Sequence, residues 1–390
     1  MKKKILMVTG SRSEFGLQEN LFNLLRKDKK IIPLLVVTGS HLSKIHGNTV
    51  NDIKKKKIKI FKKINIINKN NSIPNQISKL IYYLSILINR YKPELVILVG
   101  DRYEALASAI AAYYLKIKIA HIHGGETTFN SLDDGARHSI SKLADLHFVA
   151  NKSFKKKLID MGENRKFIYE SGGLGVDAIL STKLINKIQL EKEINFKFKK
   201  ENYLLTFHPE KNNINKQMNF LKKLFNYLSK KKNINIILTA PNSDLFNNLI
   251  IKEIEKILKK NKNNFKYIPS FGNKIYYSLL RQIDLVIGNS SSGICEVPTF
   301  KKPTINIGPR QNGRPRSKSV IDIDYNMKEF ISSLKKVSNV KFKKKVTTCK
   351  NPYGNRKSSY FIYKKIKYNF NKYTSYIAHI FMNDVWLLKS

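Results

Sequence analysis

Leu285-Val286-Ile287-Gly288-Asn289-Ser290-Ser291-Ser292-Gly293 is a short apolar run that breaks into glycine, asparagine and serines. Such a run, bounded by turn residues, reads as a buried strand, and the residues on to Phe300 read as a helix. Small residues let an anion approach the backbone, and N–H groups at a helix start suit a phosphate. The hydroxyls of Ser290, Ser291 and Ser292 add donors. Glu296 follows one turn into the helix, placed to accept bonds from a ribose diol. Arg310 follows the next apolar run, Thr304–Ile307, and suits a diphosphate.

The same punctuation recurs outward from this stretch. Before it, Tyr203–Phe207 ends in His208-Pro209-Glu210, and Ile234–Ala240 ends in Pro241-Asn242. In the first half, Ile5–Val8 leads to Gly10-Ser11-Arg12-Ser13-Glu14 and a helix from about Ser13 to Lys27. Ile31–Val37 is the next strand, and Ile77–Tyr91 is a helix stopped by Pro93. Leu95–Val99 ends in Gly100-Asp101-Arg102, before a helix over Glu104–Leu115. Ile117–Ile122 ends in His123-Gly124-Gly125-Glu126, a helix covers Asp134–Ala144, and Leu146–Ala150 is a strand. Apolar strands alternating with helical periodicity predict parallel βαβ units. The charged stretch 181–200 has no strand signal and reads as a linker. The expected fold is α/β, two doubly wound Rossmann-like domains facing a cleft, over 1–182 and 183–365, with 366–390 a tail that returns to the first domain. In such sheets ligands bind beyond the carboxyl ends of the strands, and nearly every polar cluster named here falls there.

The chain has 390 residues, 42% of them hydrophobic, enough for a core in each half. No run of about 18 apolar residues occurs, so no membrane helix is expected. Met1–Val8 opens like a signal peptide, but its apolar part stops at Thr9-Gly10-Ser11-Arg12. It reads as a strand, and a cytoplasmic location is expected. Two cysteines, Cys295 and Cys349, make no disulfide framework, and no Cys/His cluster has zinc spacing. The net charge of +45 raises nucleic acid or an anionic membrane as a partner. The lysines are scattered among asparagines, as in Lys259-Lys260-Asn261-Lys262-Asn263-Asn264. They read as solvated loops and helix faces, so neither partner is expected.

Asp101, Glu126, Asp133 and Asp134 are carboxylates on loops of one sheet. Crowding in a cleft drives their pKa values apart, so that one acts as base and another as acid. A helix cap is the alternative for Asp101 and for one of Asp133 and Asp134. His208, between a strand and a proline, suits a phosphate or leaving-group oxygen. His123 and His138 are within reach of the same edge, and Arg12, Arg102, Arg137 and Asn242 complete the candidate substrate contacts.

Seven motifs in this order resemble the UDP-N-acetylglucosamine 2-epimerase family, in its hydrolysing branch that feeds sialic-acid-type sugar synthesis. They are Gly-Ser-Arg-Ser-Glu at 10–14, Gly-Asp-Arg-Tyr-Glu-Ala-Leu at 100–106 and His-Ile-His-Gly-Gly-Glu at 121–126. Asp-Asp-Gly-Ala-Arg-His at 133–138, Gly-Gly-Leu-Gly-Val-Asp at 172–177, Gly-Asn-Ser-Ser-Ser-Gly-Ile-Cys-Glu-Val at 288–297 and Gly-Pro-Arg-Gln-Asn-Gly-Arg at 308–314 complete them. The resemblance implies a glycosyltransferase-B fold with a UDP-linked sugar in the cleft. It places Ser290, Ser291 and Arg310 at the diphosphate, Glu296 at the ribose, His208 and Arg12 near the phosphates, and Asp101, Asp133 and Asp134 as acid/base groups. Some relatives carry a glutamate where this chain has His123, so that proton work falls to His123 or to Glu126. The branch also includes enzymes for a diacetamido-trideoxy sugar, which the motifs do not separate. No cofactor and no catalytic metal are implied, and a homo-oligomer is compatible with the sequence. The rival readings are a glycosyltransferase of the same architecture and a basic nucleic-acid-binding protein.

Overall fold

The computed structural model describes residues 2–43, 47–67, 72–127, 132–241, 246–261, 263–269 and 271–370. They form two compact units, each built on one parallel sheet.

The first unit holds β1 (Lys3–Thr9), β2 (Ile31–Val37), β3 (Lys62–Lys63), β4 (Leu95–Val99), β5 (Lys118–Ile122), β6 (Leu146–Val149) and β7 (Ile168–Glu170). Their order in the sheet is β3-β2-β1-β4-β5-β6-β7, so the chain reverses direction across the sheet between β1 and β4. That is the topological switch point, beyond whose carboxyl ends ligands bind. Strand residues alternate between two cores. Ile5, Met7, Leu95, Ile97 and Val99 point to one face, and Leu6, Val8, Val96 and Leu98 to the other. A sheet buried on both faces is why its strands read as continuous apolar runs.

Helices cover both faces. In Arg12–Lys27 the Ser11 hydroxyl accepts from the Glu14 N–H, and Arg26 and Lys27 lie in the last turn, where cations meet the dipole favourably. Phe15, Leu21, Phe22 and Leu25 are its buried stripe. The helix expected to begin at Ile77 begins at Ile73, because Ser72 caps it and proline is tolerated in a first turn. The chain returns to this unit at Arg356. Residues 358–370 are helical, and Ile362 and Ile366 enter the core. The Tyr363 hydroxyl donates to Asp28 at 2.6 Å, and Lys367 pairs with the same carboxylate at 2.7 Å.

The second unit repeats the plan with β8 (Glu201–Thr206), β9 (Ile234–Leu238), β10 (Phe265–Tyr267), β11 (Leu285–Gly288), β12 (Thr304–Ile307) and β13 (Val320–Ile323). Their order is β10-β9-β8-β11-β12-β13, with the switch between β8 and β11. Tyr203, Leu205, Leu285 and Ile287 face one core, and Leu204 and Val286 the other. The stretch read as a linker contains a helix, Lys187–Ile194, capped by Asn186. Leu190 and Ile194, one turn apart, enter the second unit's core, so the segment's charges lie on the outer face of a packed helix. Among the described residues no helix is long and apolar enough to cross a membrane.

Candidate functional site

In the first unit the loops after β1, β4 and β5 converge on the switch point. Asp101 follows β4, and its carboxylate pairs with Arg137, whose side chain is almost fully buried on the helix Leu132–Leu143. Asp101 is therefore an ion-paired group and not a cap; the helix Tyr103–Tyr114 starts with Arg102 at its cap position and no side-chain cap bond. The Asp101 side chain keeps 26% of its surface exposed, which leaves it open to a reactant. His121, wholly buried, bonds the Gly100 carbonyl oxygen through Nε2 at 2.8 Å and the Ser141 hydroxyl through Nδ1 at 3.0 Å. Burial pushes its pKa down to about 3, so the imidazole is a neutral strut under the Gly100-Asp101 loop.

His123 has a left-handed backbone (φ 68°), and its Nε2 accepts from the Leu174 N–H at 3.2 Å. That lone pair is engaged by the Gly-Gly-Leu-Gly loop. Asp133 and Asp134 both lie inside the first turn of Leu132–Leu143, where the helix dipole favours a negative charge. Asp133 is exposed and Asp134 and His138 half-buried. Arg12 is the exposed first residue of its helix.

Two further carboxylates of the first unit follow β1 and β4. Glu14 is buried and accepts from the Gly10 N–H at 2.8 Å and from Gln18 Nε2 at 3.0 Å. Burial, then the charge of Glu104, pushes its pKa up to about 8. Glu104, 1% exposed, accepts two bonds from Arg102, Nε to Oε2 at 3.0 Å and Nη2 to Oε1 at 2.9 Å. Both glutamates lie in motifs the sequence displays, at the fifth positions of 10–14 and 100–106. Their pairing needs the fold.

In the second unit Asn289 organises the site. Fully buried, its Oδ1 accepts from the His208 N–H at 2.7 Å, and its Nδ2 donates to the His208 carbonyl oxygen at 2.8 Å and to Glu210 at 3.2 Å. Its own carbonyl oxygen accepts from Arg310 Nη1 at 3.2 Å and Gln311 Nε2 at 2.8 Å. One asparagine thus ties the ends of β8, β11 and β12 together and brings His208 and Arg310 into one cluster. Gly288 (φ 135°) makes the approach feasible, since a Cβ there would fall on the Thr206 carbonyl. His208 is buried and its pKa falls to about 3, by burial and by the charge of Arg310. It is a neutral imidazole against a cation, suited to bond an oxygen without carrying charge itself.

The expected helix to Phe300 divides into a short α-helix, Ser292–Cys295, and a 3₁₀ turn, Val297–Phe300. Pro298 has no N–H to donate and disfavours the α conformation in the residue before it. So short a helix has little dipole, and what the loop could offer an anion is local N–H groups and the hydroxyls of Ser290 and Ser291, both partly exposed. Ser292 is committed elsewhere: its hydroxyl donates to Glu296 Oε2 at 2.5 Å and accepts from Tyr276 at 2.6 Å. Burial raises the Glu296 pKa, and the Ser292 bond opposes the rise. Glu126 is buried and groups with this unit, with Arg314, Cys295 and Tyr353 in its electrostatic surroundings. Burial, the largest influence, pushes the Cys295 thiol up to about 12, which makes it an unreactive packing group. Asn242 lies outside the described residues.

Comparison with known proteins sets this geometry in a family. The sequence profile of the UDP-N-acetylglucosamine 2-epimerase family matches residues 23–367. A Campylobacter jejuni protein named GDP/UDP-N,N'-diacetylbacillosamine 2-epimerase (hydrolyzing) is 39% identical over 329 residues, 83% of this chain and 85% of that protein. The polysialic acid biosynthesis protein P7 of Escherichia coli is 34% identical over 359 residues, 90% of each chain. Among solved structures, the UDP-GlcNAc 2-epimerase of Neisseria meningitidis bound to UDP-GlcNAc superposes with a TM-score of 0.81 at 20% identity, over 93% of this chain and 99% of that one, a likeness of fold. The chain belongs to the UDP-N-acetylglucosamine 2-epimerase family.

Proposed function

We propose that this protein is a hydrolysing nucleotide-sugar 2-epimerase. It converts UDP-N-acetylglucosamine, or a UDP-linked diacetamido sugar, to the free 2-epimer and UDP. The observation that carries the reading is the His208–Asn289–Arg310 cluster at the switch point of the second sheet, in a chain of this family. There a neutral imidazole, a guanidinium and the Ser290 and Ser291 hydroxyls suit a departing diphosphate, and Glu296 suits a ribose. The name of the 39%-identical relative supports the hydrolysing reaction.

The reaction runs in two steps. A base removes the C2 proton while the C1–O bond to the nucleotide breaks, giving UDP and a sugar with a C1=C2 double bond. Water then adds, hydroxyl to C1 and a proton to C2 on the opposite face. The C2 hydrogen is weakly acidic, so positioned bases and stabilisation of the leaving diphosphate share the barrier. Asp101, paired with Arg137 yet partly exposed, is assigned as the principal acid/base group of the first unit, and Glu126, Asp133 and Asp134 are the other acid/base candidates. The engaged lone pair of His123 favours Glu126 over His123 for the second proton. Arg12 and Arg102 are assigned to phosphate oxygens.

The test is incubation with each UDP-sugar and no acceptor, followed by NMR. Free 2-epimer and UDP in equal amounts are expected. An epimer still linked to UDP would overturn the hydrolytic step, and release only when an acceptor is added would mark a transferase.

A further inference from the structure

We infer that Glu104 is a positioning residue: sealed behind the site, it clamps Arg102 so that the guanidinium meets a phosphate oxygen of the substrate at a fixed angle. The inference rests on the assignment of Arg102 to the substrate.

The geometry is that of a fork in a socket. Glu104 takes the Nε and Nη2 edge of Arg102 through both carboxylate oxygens. Nη1 is left outside the pair, on a side chain that is 39% exposed. A bidentate pair fixes direction as well as distance, which a single bond to a flexible cation does not. The socket itself is closed. A side chain on Gly10 would sit 2.6 Å from Glu104 Oε1, and one on Gly39 would also collide with it. The carboxylate therefore lies directly against the backbones of the loops after β1 and β2, and the Ser108 hydroxyl donates to the main-chain carbonyl oxygen of Glu104 at 2.7 Å.

Glu14 stands on the other side of Gly10, taking the N–H of the same glycine whose missing side chain makes room for Glu104. Two carboxylates thus flank one residue. Burial keeps the proton on Glu14, so it places no second negative charge beside Arg102. Arg12 opens the helix that follows the loop after β1, and the loop after β4 carries Asp101 and Arg102. A clamp that presses the two loops together sets where these groups stand, without touching substrate itself.

A double-mutant cycle tests this in the full-length protein. Glu104→Gln, Arg102→Ala and the double variant are compared for kcat/KM, for UDP affinity by titration calorimetry and for thermal midpoint. Glu104→Gln is expected to lower kcat/KM and UDP affinity at least tenfold when Arg102 is present, and less than twofold when it is Ala. Equal losses in both backgrounds would make Glu104 a merely structural group and overturn the inference, as would an unchanged kcat/KM. Arg102→Lys covers the case in which Glu104→Gln does not fold. It keeps the charge and loses the fork, and recovery of more than half the wild-type turnover would also overturn the inference. A wild type that turns over neither UDP-sugar refutes the proposed reaction, not the clamp, which the UDP arm then decides. A wild type that binds no UDP removes both.

Discussion

Replacing Glu14 by Gln removes a buried acid whose proton the fold holds. The pKa is about 8 in the folded chain against an ordinary value of 4.5, raised by burial and by Glu104. Between pH 4.5 and 8 the folded protein keeps a proton that the unfolded chain has released. Stability therefore falls as pH rises across that window, and the contribution is flat below and above it. At about 1.4 kcal/mol per pH unit the whole span amounts to about 5 kcal/mol. A glutamine in its place carries no such penalty, but the new amide puts a donor near Gln18 Nε2 or gives up the Gly10 bond, at a cost of about 1–2 kcal/mol. Glu14→Gln is thus expected to be less stable than wild type at pH 5 and more stable, by roughly 3 kcal/mol, at pH 8.5. Urea unfolding of both proteins at fixed ionic strength, from pH 5 to 9, reads the difference. The titration of the rest of this highly basic chain is common to both and cancels. A difference that stays constant to within about 1 kcal/mol across the range would refute the buried protonated glutamate.

Three further outcomes follow from the site. Asp101→Asn is expected to abolish turnover while leaving UDP affinity within about threefold, by calorimetry; ordinary turnover would make the Asp101–Arg137 pair structural. Glu296→Ala is expected to weaken UDP by about 1.5–3 kcal/mol and inorganic diphosphate much less, and equal losses would remove it from the ribose. His208, with its pKa near 3, is expected to show no ring titration between pH 5 and 8 by NMR, and a midpoint near 6.5 would contradict the neutral imidazole beside Arg310.

The sheets were legible because strands buried on both faces spell continuous apolar runs, as Leu95–Val99 does. The edge strands were not. Lys62–Lys63 is two exposed lysines, and Val320–Ile323 carries Asp322 in its middle, so neither has an apolar run to announce it. The helix Lys187–Ile194 was hidden because only Leu190 and Ile194 mark its inner face. At the candidate site, the placement of Asp101, His208 and Arg310 just beyond strand ends was readable from the apolar runs before them. Roles that depend on distant partners were not. Asn289 reads as one more small polar residue until His208 and Arg310 are found on it from 81 and 21 residues away. Ser292 reads as a phosphate donor until Glu296 and Tyr276 are seen to occupy its hydroxyl.

The proposed reaction breaks the C2–H bond, and no simple hydrolysis at C1 does so. Turnover of the UDP-sugar in D₂O, with products read by proton NMR and mass, tests this step directly. The expected product is the free 2-epimer carrying deuterium at C2, with one equivalent of UDP. Free sugar that keeps protium at C2 and its original configuration would contradict the elimination, whatever the fold and the nucleotide site.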